Sequence, residues 1–174
     1  MAMRMLALRL GRDRRGVATT EFALLTVFFF FTILAALDIA GLLIARTQLG
    51  TAVAGAANAA FANRDSVNFL NIPTFVTQAA QAPAATPVTV TIGCNGGTNN
   101  CTNGSSRTCT CLGRDGRYVA ASCGATCSGS NMSAGATAGY YLTVRASYPY
   151  RPVLLPRGVL GDATVTQSAT VRLQ

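Results

Sequence analysis

At 174 residues the chain has room for one domain, or for a small domain and a membrane segment. Half of it is hydrophobic and only 11% is charged, against about 25% in soluble domains. The formal charge of +8 divides evenly: five arginines less Asp13 place +4 in residues 1–16, and the other +4 is scattered. That scatter lacks the basic stripe with interleaved aromatics of a phosphate-tracking surface, so no nucleic-acid partner is expected.

The basic start, with Arg4, Arg9, Arg12, Arg14 and Arg15, runs into Gly16, Val17, Ala18, Thr19, Thr20, Glu21 and Phe22. An uncharged stretch follows over residues 22–37, including four consecutive phenylalanines at 28–31. Beyond Asp38, apolar residues continue to Ala45. At about 1.5 Å per residue, residues 22–45 reach roughly 36 Å, enough to cross a hydrocarbon layer of about 30 Å. By the positive-inside rule the N-terminus is cytoplasmic and the remainder lies outside, in a single pass. A cleaved signal peptide fits less well, although Ala52-Val53-Ala54 offers a site, because the apolar run is too long and an acid interrupts it.

Two carboxylates flank this run. Glu21 lies four residues after Val17. A cut between Gly16 and Val17 creates an ammonium that a neighbouring subunit, shifted by about one helical turn, pairs with Glu21 in low dielectric. In one chain alone, Glu21 stabilises the first helical turn through its dipole. Asp38, seventeen residues later, reads as an exposed marker of the outer boundary.

The helix is expected to continue to Ala62, because Leu42, Leu49, Val53, Ala56 and Ala60 recur on one face. Packing of that face against the chain's own domain is the default expectation. Asn63, Arg64, Asp65 and Ser66 break the period. Pro73 is expected to open a short second helix ending near Gln81, and residues 83–87 read as a Pro/Ala linker. Residues 89–92, 140–148 and 163–173 alternate as strands, the last two as an antiparallel pair joined by a turn at 148–152 and the stretch 154–156. Residues 117–122 read as a further strand entered by an Asp115-Gly116 turn.

All six cysteines, Cys94, Cys101, Cys109, Cys111, Cys123 and Cys127, fall in a Gly/Ser/Thr/Asn-rich loop at 94–127. Irregular spacing and a complete lack of histidine argue against zinc, and no C-x-x-C is present for redox work. An even count in an oxidising compartment predicts disulfides, with fifteen pairings open and Cys109 and Cys111 poor partners for each other. The polar loop is expected to be exposed. No metal and no cofactor are expected. With no histidine, no Gly-x-Ser-x-Gly and no phosphate loop, the chain is not expected to be an enzyme.

Gly16-Val17-Ala18-Thr19-Thr20-Glu21-Phe22 resembles the prepilin-peptidase site of type IV pilins, and Glu21-Phe22 is similar to the Glu-aromatic pair of the Tad (tight adherence) branch. Residues 37–46, then Leu49 and the Ala-rich run to Phe61, resemble TadE-like pseudopilins, and residues 142–150 and 163–172 fit more loosely. The family often carries glutamate and glycine-arginine where Asp38 and Ala40-Gly41 stand here, so the resemblance assigns Asp38 no role. It implies a minor pilin or pseudopilin for a Tad pilus, cut after Gly16 by a prepilin peptidase. Arg14 and Arg15 would hold the leader in the cytoplasm, and Glu21 with Phe22 would act in assembly. The implied partners are other pilin subunits and Tad assembly proteins, with extraction into an extracellular pilus. The alternative is a membrane-anchored periplasmic adhesion or binding module in which the cysteine loop does the work.

The expected architecture is therefore α+β. A leader at 1–16 precedes a transmembrane and extended helix at 17–62, a short helix and linker at 63–87, and a small antiparallel β-rich domain at 88–174.

Overall fold

The computed structural model describes residues 15–82, 86–154 and 163–174. The layout is α+β. Helix α1 (Arg15–Ala62) holds 48 residues, about 72 Å, and is followed by α2 (Asn71–Ala79). Strands β1 (Thr89–Cys94), β4 (Tyr141–Pro149) and β5 (Thr164–Arg172) form an antiparallel sheet in the order β1-β4-β5. Strands β2 (Thr110–Leu112) and β3 (Tyr118–Ala120) form a separate hairpin.

Helix α1 lives in two environments. Toward its N-terminus, Phe22, Leu24, Val27 and Phe28–Phe31 are all exposed, and the helix is long and apolar enough to cross a membrane. From Leu49 onward one face is buried: Leu49, Val53, Ala56 and Ala60 pack against the sheet and α2. These are the expected positions. Alanine and glycine dominate the packed stretch, so the backbones approach closely, with Gly50 against Gln167 and Gly55 against Phe75.

The sheet obeys a period of two. Leu142, Val144, Ala146 and Tyr148 of β4 point toward α1 and are buried, while Thr143 and Ser147 alternate with them on the opposite side. There Thr143 pairs with Thr170 and their hydroxyls bond at 2.9 Å. One dry face and one polar face is the usual arrangement of an antiparallel sheet covered on one side.

Several expectations need adjusting. α2 begins at Asn71, so Pro73 occupies its third position rather than its first, and it ends at Ala79. The fourth expected strand is shorter, Tyr118–Ala120, and pairs with β2, which lies inside the cysteine loop. The expected turn at 148–152 is absent, while residues 155 and 156 of the expected link lie outside the described residues. β4 stays paired through Pro149 with Thr164, the Tyr150 N–H donates to the Ala163 carbonyl, and the chain then runs as a strap to α1.

The cysteine loop is only partly exposed. Three disulfides form, Cys94–Cys101, Cys109–Cys123 and Cys111–Cys127, with Cα–Cα distances of 5.1, 4.9 and 5.7 Å. Cys94 lies in the main core, while Cys109, Cys111, Cys127 and Ala138 make a second small core under the hairpin. Asparagine side chains supply what apolar residues do not. Asn100 accepts from the Cys94 N–H at 2.8 Å and donates to its carbonyl at 2.9 Å, as a neighbouring strand would. Asn103 treats the backbone of Val67 likewise, tying the loop to the α1–α2 connection.

Leu49 is fully buried whereas Leu43, on the same helix, is 55% exposed. Leu49→Ala should therefore cost about 2–5 kcal/mol and Leu43→Ala close to nothing. Denaturant unfolding of the detergent-solubilised protein, followed by near-ultraviolet circular dichroism, checks the difference.

Candidate functional site

Two places on α1 carry chemistry that helix propensity does not explain. The first is the N-terminal motif. Arg14 lies outside the described residues, as do residues 1–13 of the expected leader and the side chains of Arg15 and Val17. Backbone from Arg15 onward, Gly16 and Val17 included, is helical. Glu21 is exposed and Phe22 is 71% exposed, and no ion pair links Glu21 to a described residue. Among the described residues the one salt bridge is Arg117–Asp115 at 3.9 Å, in the surface turn of the β2–β3 hairpin. Glu21 thus stands at the entrance to the apolar run as a carboxylate that its own domain does not reach.

The second place is Asp38, and here the expectation of an exposed boundary marker is wrong. Asp38 is only 3% exposed. Its Oδ1 accepts from the Val153 N–H at 3.0 Å, and its Oδ2 accepts from the Leu154 N–H at 3.1 Å. The Tyr150 hydroxyl donates to the Asp38 backbone carbonyl at 3.0 Å. The strap that leaves β4 at Pro149 therefore ends on α1, and it turns two backbone donors onto one carboxylate. A carboxylate with amide donors is strongly held, because each charge-assisted bond contributes about 1.5–3 kcal/mol.

Gly41 makes this approach possible. A Cβ there would stand 2.7 Å from the Tyr150 hydroxyl, closer than carbon and oxygen tolerate without displacement. One turn beyond Asp38, the missing side chain is the slot into which the phenol fits. Burial first, and then the negative charge of Asp38, raise the Tyr150 pKa above the ordinary 10.0. Tyr148 is raised too, again by burial first and then by Tyr150.

The cysteines assemble a rigid satellite rather than a reactive site. Tyr118 of the hairpin packs edge-on to Tyr141 at 6.0 Å, and Thr110 bridges Gly139, so the hairpin is fixed to the main sheet. Asn95, at φ 52°, joins three segments: its Oδ1 accepts from the Tyr141 N–H at 2.9 Å and from the Thr110 hydroxyl at 3.1 Å, and its amide donates to the Thr108 carbonyl. Arg107 lies over the Tyr140 ring at 5.1 Å. Among the described residues no three His, Cys, Asp or Glu side chains converge as a metal ion would need.

Sequence reasoning placed Glu21 and Phe22 correctly on the helix and missed the Asp38–strap junction. The available signal was an acid inside an apolar run, which ordinarily marks a partnered group. Its partners lie 115 and 116 residues away, beyond the reach of any local pattern. Comparison with family models, curated proteins and solved structures found no match.

Two outcomes test the junction. Gly41→Ala should destabilise the protein by about 1–3 kcal/mol through overpacking against Tyr150. In a Tyr150→Phe background the same change should become stabilising by up to about 1 kcal/mol, since alanine is the better helix former. A double-mutant cycle by thermal unfolding reads that change of sign. The raised phenols mean that the fold favours the protonated form. Their contribution is intact below pH 10.0 and is lost as pH rises through the raised values. Phenolate absorbance should show two of the five tyrosines ionising late, and one of these should vanish in Tyr150→Phe.

Proposed function

We propose that this protein is a pilin-like structural subunit, anchored in the bacterial inner membrane by α1 and released from its leader by a cut after Gly16. The observation that carries the reading is the division of α1. Residues 22–37 present an exposed, uncharged and predominantly apolar surface, and from Leu49 onward the helix is packed against a small sheet domain. A helix that is apolar all round requires lipid or the like surfaces of other subunits. The resemblance of residues 16–22 to a prepilin-peptidase site supports assembly as well as anchoring, in the manner of a TadE-like pseudopilin serving a Tad pilus.

In this reading Arg14 and Arg15 keep the leader in the cytoplasm, and prepilin peptidase cuts the Gly16–Val17 bond. Gly16 lies in helical backbone, and a residue without a side chain there favours local unwinding. The freed amine of Val17 then pairs with Glu21 of an adjoining subunit. Phe22 supplies apolar contact beside that pair. The disulfide-stapled domain stays periplasmic until other pilin subunits and the Tad assembly proteins draw the protein into a fibre. A second reading, an anchored adhesion or binding module, draws on the hairpin satellite, whose two disulfides make a rigid outward platform.

N-terminal sequencing of the membrane-extracted protein should give Val17 as the first residue. A start at Met1 or at Gly55 would count against the pilin reading. Replacing Gly16 with a bulky residue should block processing, whereas Glu21→Ala should leave processing intact and remove the protein from sheared pili. Unchanged piliation in Glu21→Ala would sink the pairing role, and a chain retained in membranes in every background would favour the anchored module.

A further inference from the structure

The strap does more than close the domain. We propose that residues 150–154 sit in the interfacial layer of the bilayer, with the Val153 and Leu154 side chains in contact with phospholipid at the C-terminal end of the span. This rests on the reading of α1 as a membrane anchor and adds a second, domain-borne contact to it.

Depth carries the argument. A hydrocarbon layer of about 30 Å takes up about 20 helical residues. Counted from Phe22, the first residue past Glu21, it ends near Gly41. Asp38 is three residues short of that point, about 5 Å inside the far edge. Tilting the helix lengthens its path through the layer and leaves Asp38 deeper still. A carboxylate there must be partnered. Its partners are the N–H groups of Val153 and Leu154, so hydrogen bonds of 3.0 and 3.1 Å hold the strap at the depth of Asp38.

The strap is built for that level. Its two donors are consumed by Asp38, while the attached side chains face outward, Val153 at 85% exposure and Leu154 at 46%. One exposed valine on a water-soluble surface needs no explanation. Here the valine is tied to a group whose position along the span is set by the helix. On α1 itself Ile44, 56% exposed, lines the same groove as Val153, so apolar surface of the helix adjoins the strap. Arg151 is exposed next to it and can reach up to lipid phosphates while its stem lies along the acyl boundary. A domain resting on lipid at this point cannot swing freely about the emerging helix.

The chain contains no tryptophan, so a single introduced indole reports its own surroundings. Full-length Val153→Trp is reconstituted in phosphatidylcholine–phosphatidylglycerol vesicles, with Phe29→Trp as a reporter for the span and Val119→Trp, on the exposed side of the hairpin, as a water reference. Val153→Trp should emit to the blue of Val119→Trp, resist aqueous acrylamide, and lose most of its emission to lipid spin-labelled close to the headgroup. Phe29→Trp should respond instead to deep-labelled lipid. Water-like, acrylamide-sensitive emission from Val153→Trp, alongside a lipid-quenched Phe29→Trp, overturns the proposal and leaves the span standing. Water-like emission from both removes the span and the proposal together. Leu154→Trp repeats the measurement at the neighbouring position should Val153→Trp not fold, and is judged by the same outcomes.

Discussion

A carboxylate within the otherwise uncharged stretch 22–45 of the helix has to be answered by donors, and the answer at Asp38 organises the molecule. Strand β4 could have ended in a tight turn at Pro149. It feeds a strap instead, which crosses to α1 and aims two N–H groups at Oδ1 and Oδ2. Tyr150 adds a bond to the Asp38 carbonyl in the space left by Gly41. Removing the carboxylate would leave two part-buried amides without their acceptor, which costs more than forming the pair gains. The helix surface is bare before this junction and packed beyond it.

Below the junction the domain is small, and its apolar inventory is mostly alanine and valine. Small side chains bury little area each, at about 25 cal/mol per Å². The fold offsets this in two ways. Close approach of α1 to the sheet, through Gly50, Ala52, Val53 and Ala56, lets short side chains make full contact. Covalent staples and asparagine amides then order a segment that has almost no core of its own: Cys94–Cys101 and Asn100 finish β1, and Asn103 and Arg107 bind the loop to the α1–α2 connection. The sulfurs of Cys109, Cys111 and Cys127 also serve as the apolar filling beneath the hairpin.

How much of this was legible follows from how far each signal travels along the chain. The face Leu49, Val53, Ala56 and Ala60 was readable because helical period and burial coincide over a dozen residues. Strands β4 and β5 were readable because their alternation is long and clean. β2 was not, being three residues in a glycine- and cysteine-rich loop, where pairing with β3 rather than pattern makes the strand. Pro73 misled by two residues because its missing N–H is as harmless at the third helical position as at the first. Disulfide partners and the strap's destination depend on contacts that no local periodicity encodes. Asp38 was visible as an anomaly, and only the fold identifies its donors.

The two carboxylates at the ends of the apolar run are treated in opposite ways. Asp38 receives its donors from the same chain and is buried. Glu21, seventeen residues earlier and about 26 Å away along the axis, is exposed, and the sheet domain lies on the far side of the junction. No rearrangement of the strap could serve both, since its reach is spent at Asp38. If the span is in lipid, Glu21 either sits at the headgroup boundary, where water and the helix dipole suffice, or it is drawn into an apolar assembly and must find a cation there. Only in the second case does a new amine on Val17, one turn away, have consequences, and then only when supplied by another subunit. The internal satisfaction of Asp38 therefore sharpens the proposed role of Glu21: the domain finishes its own polar work at one end of the span and leaves the other end for association.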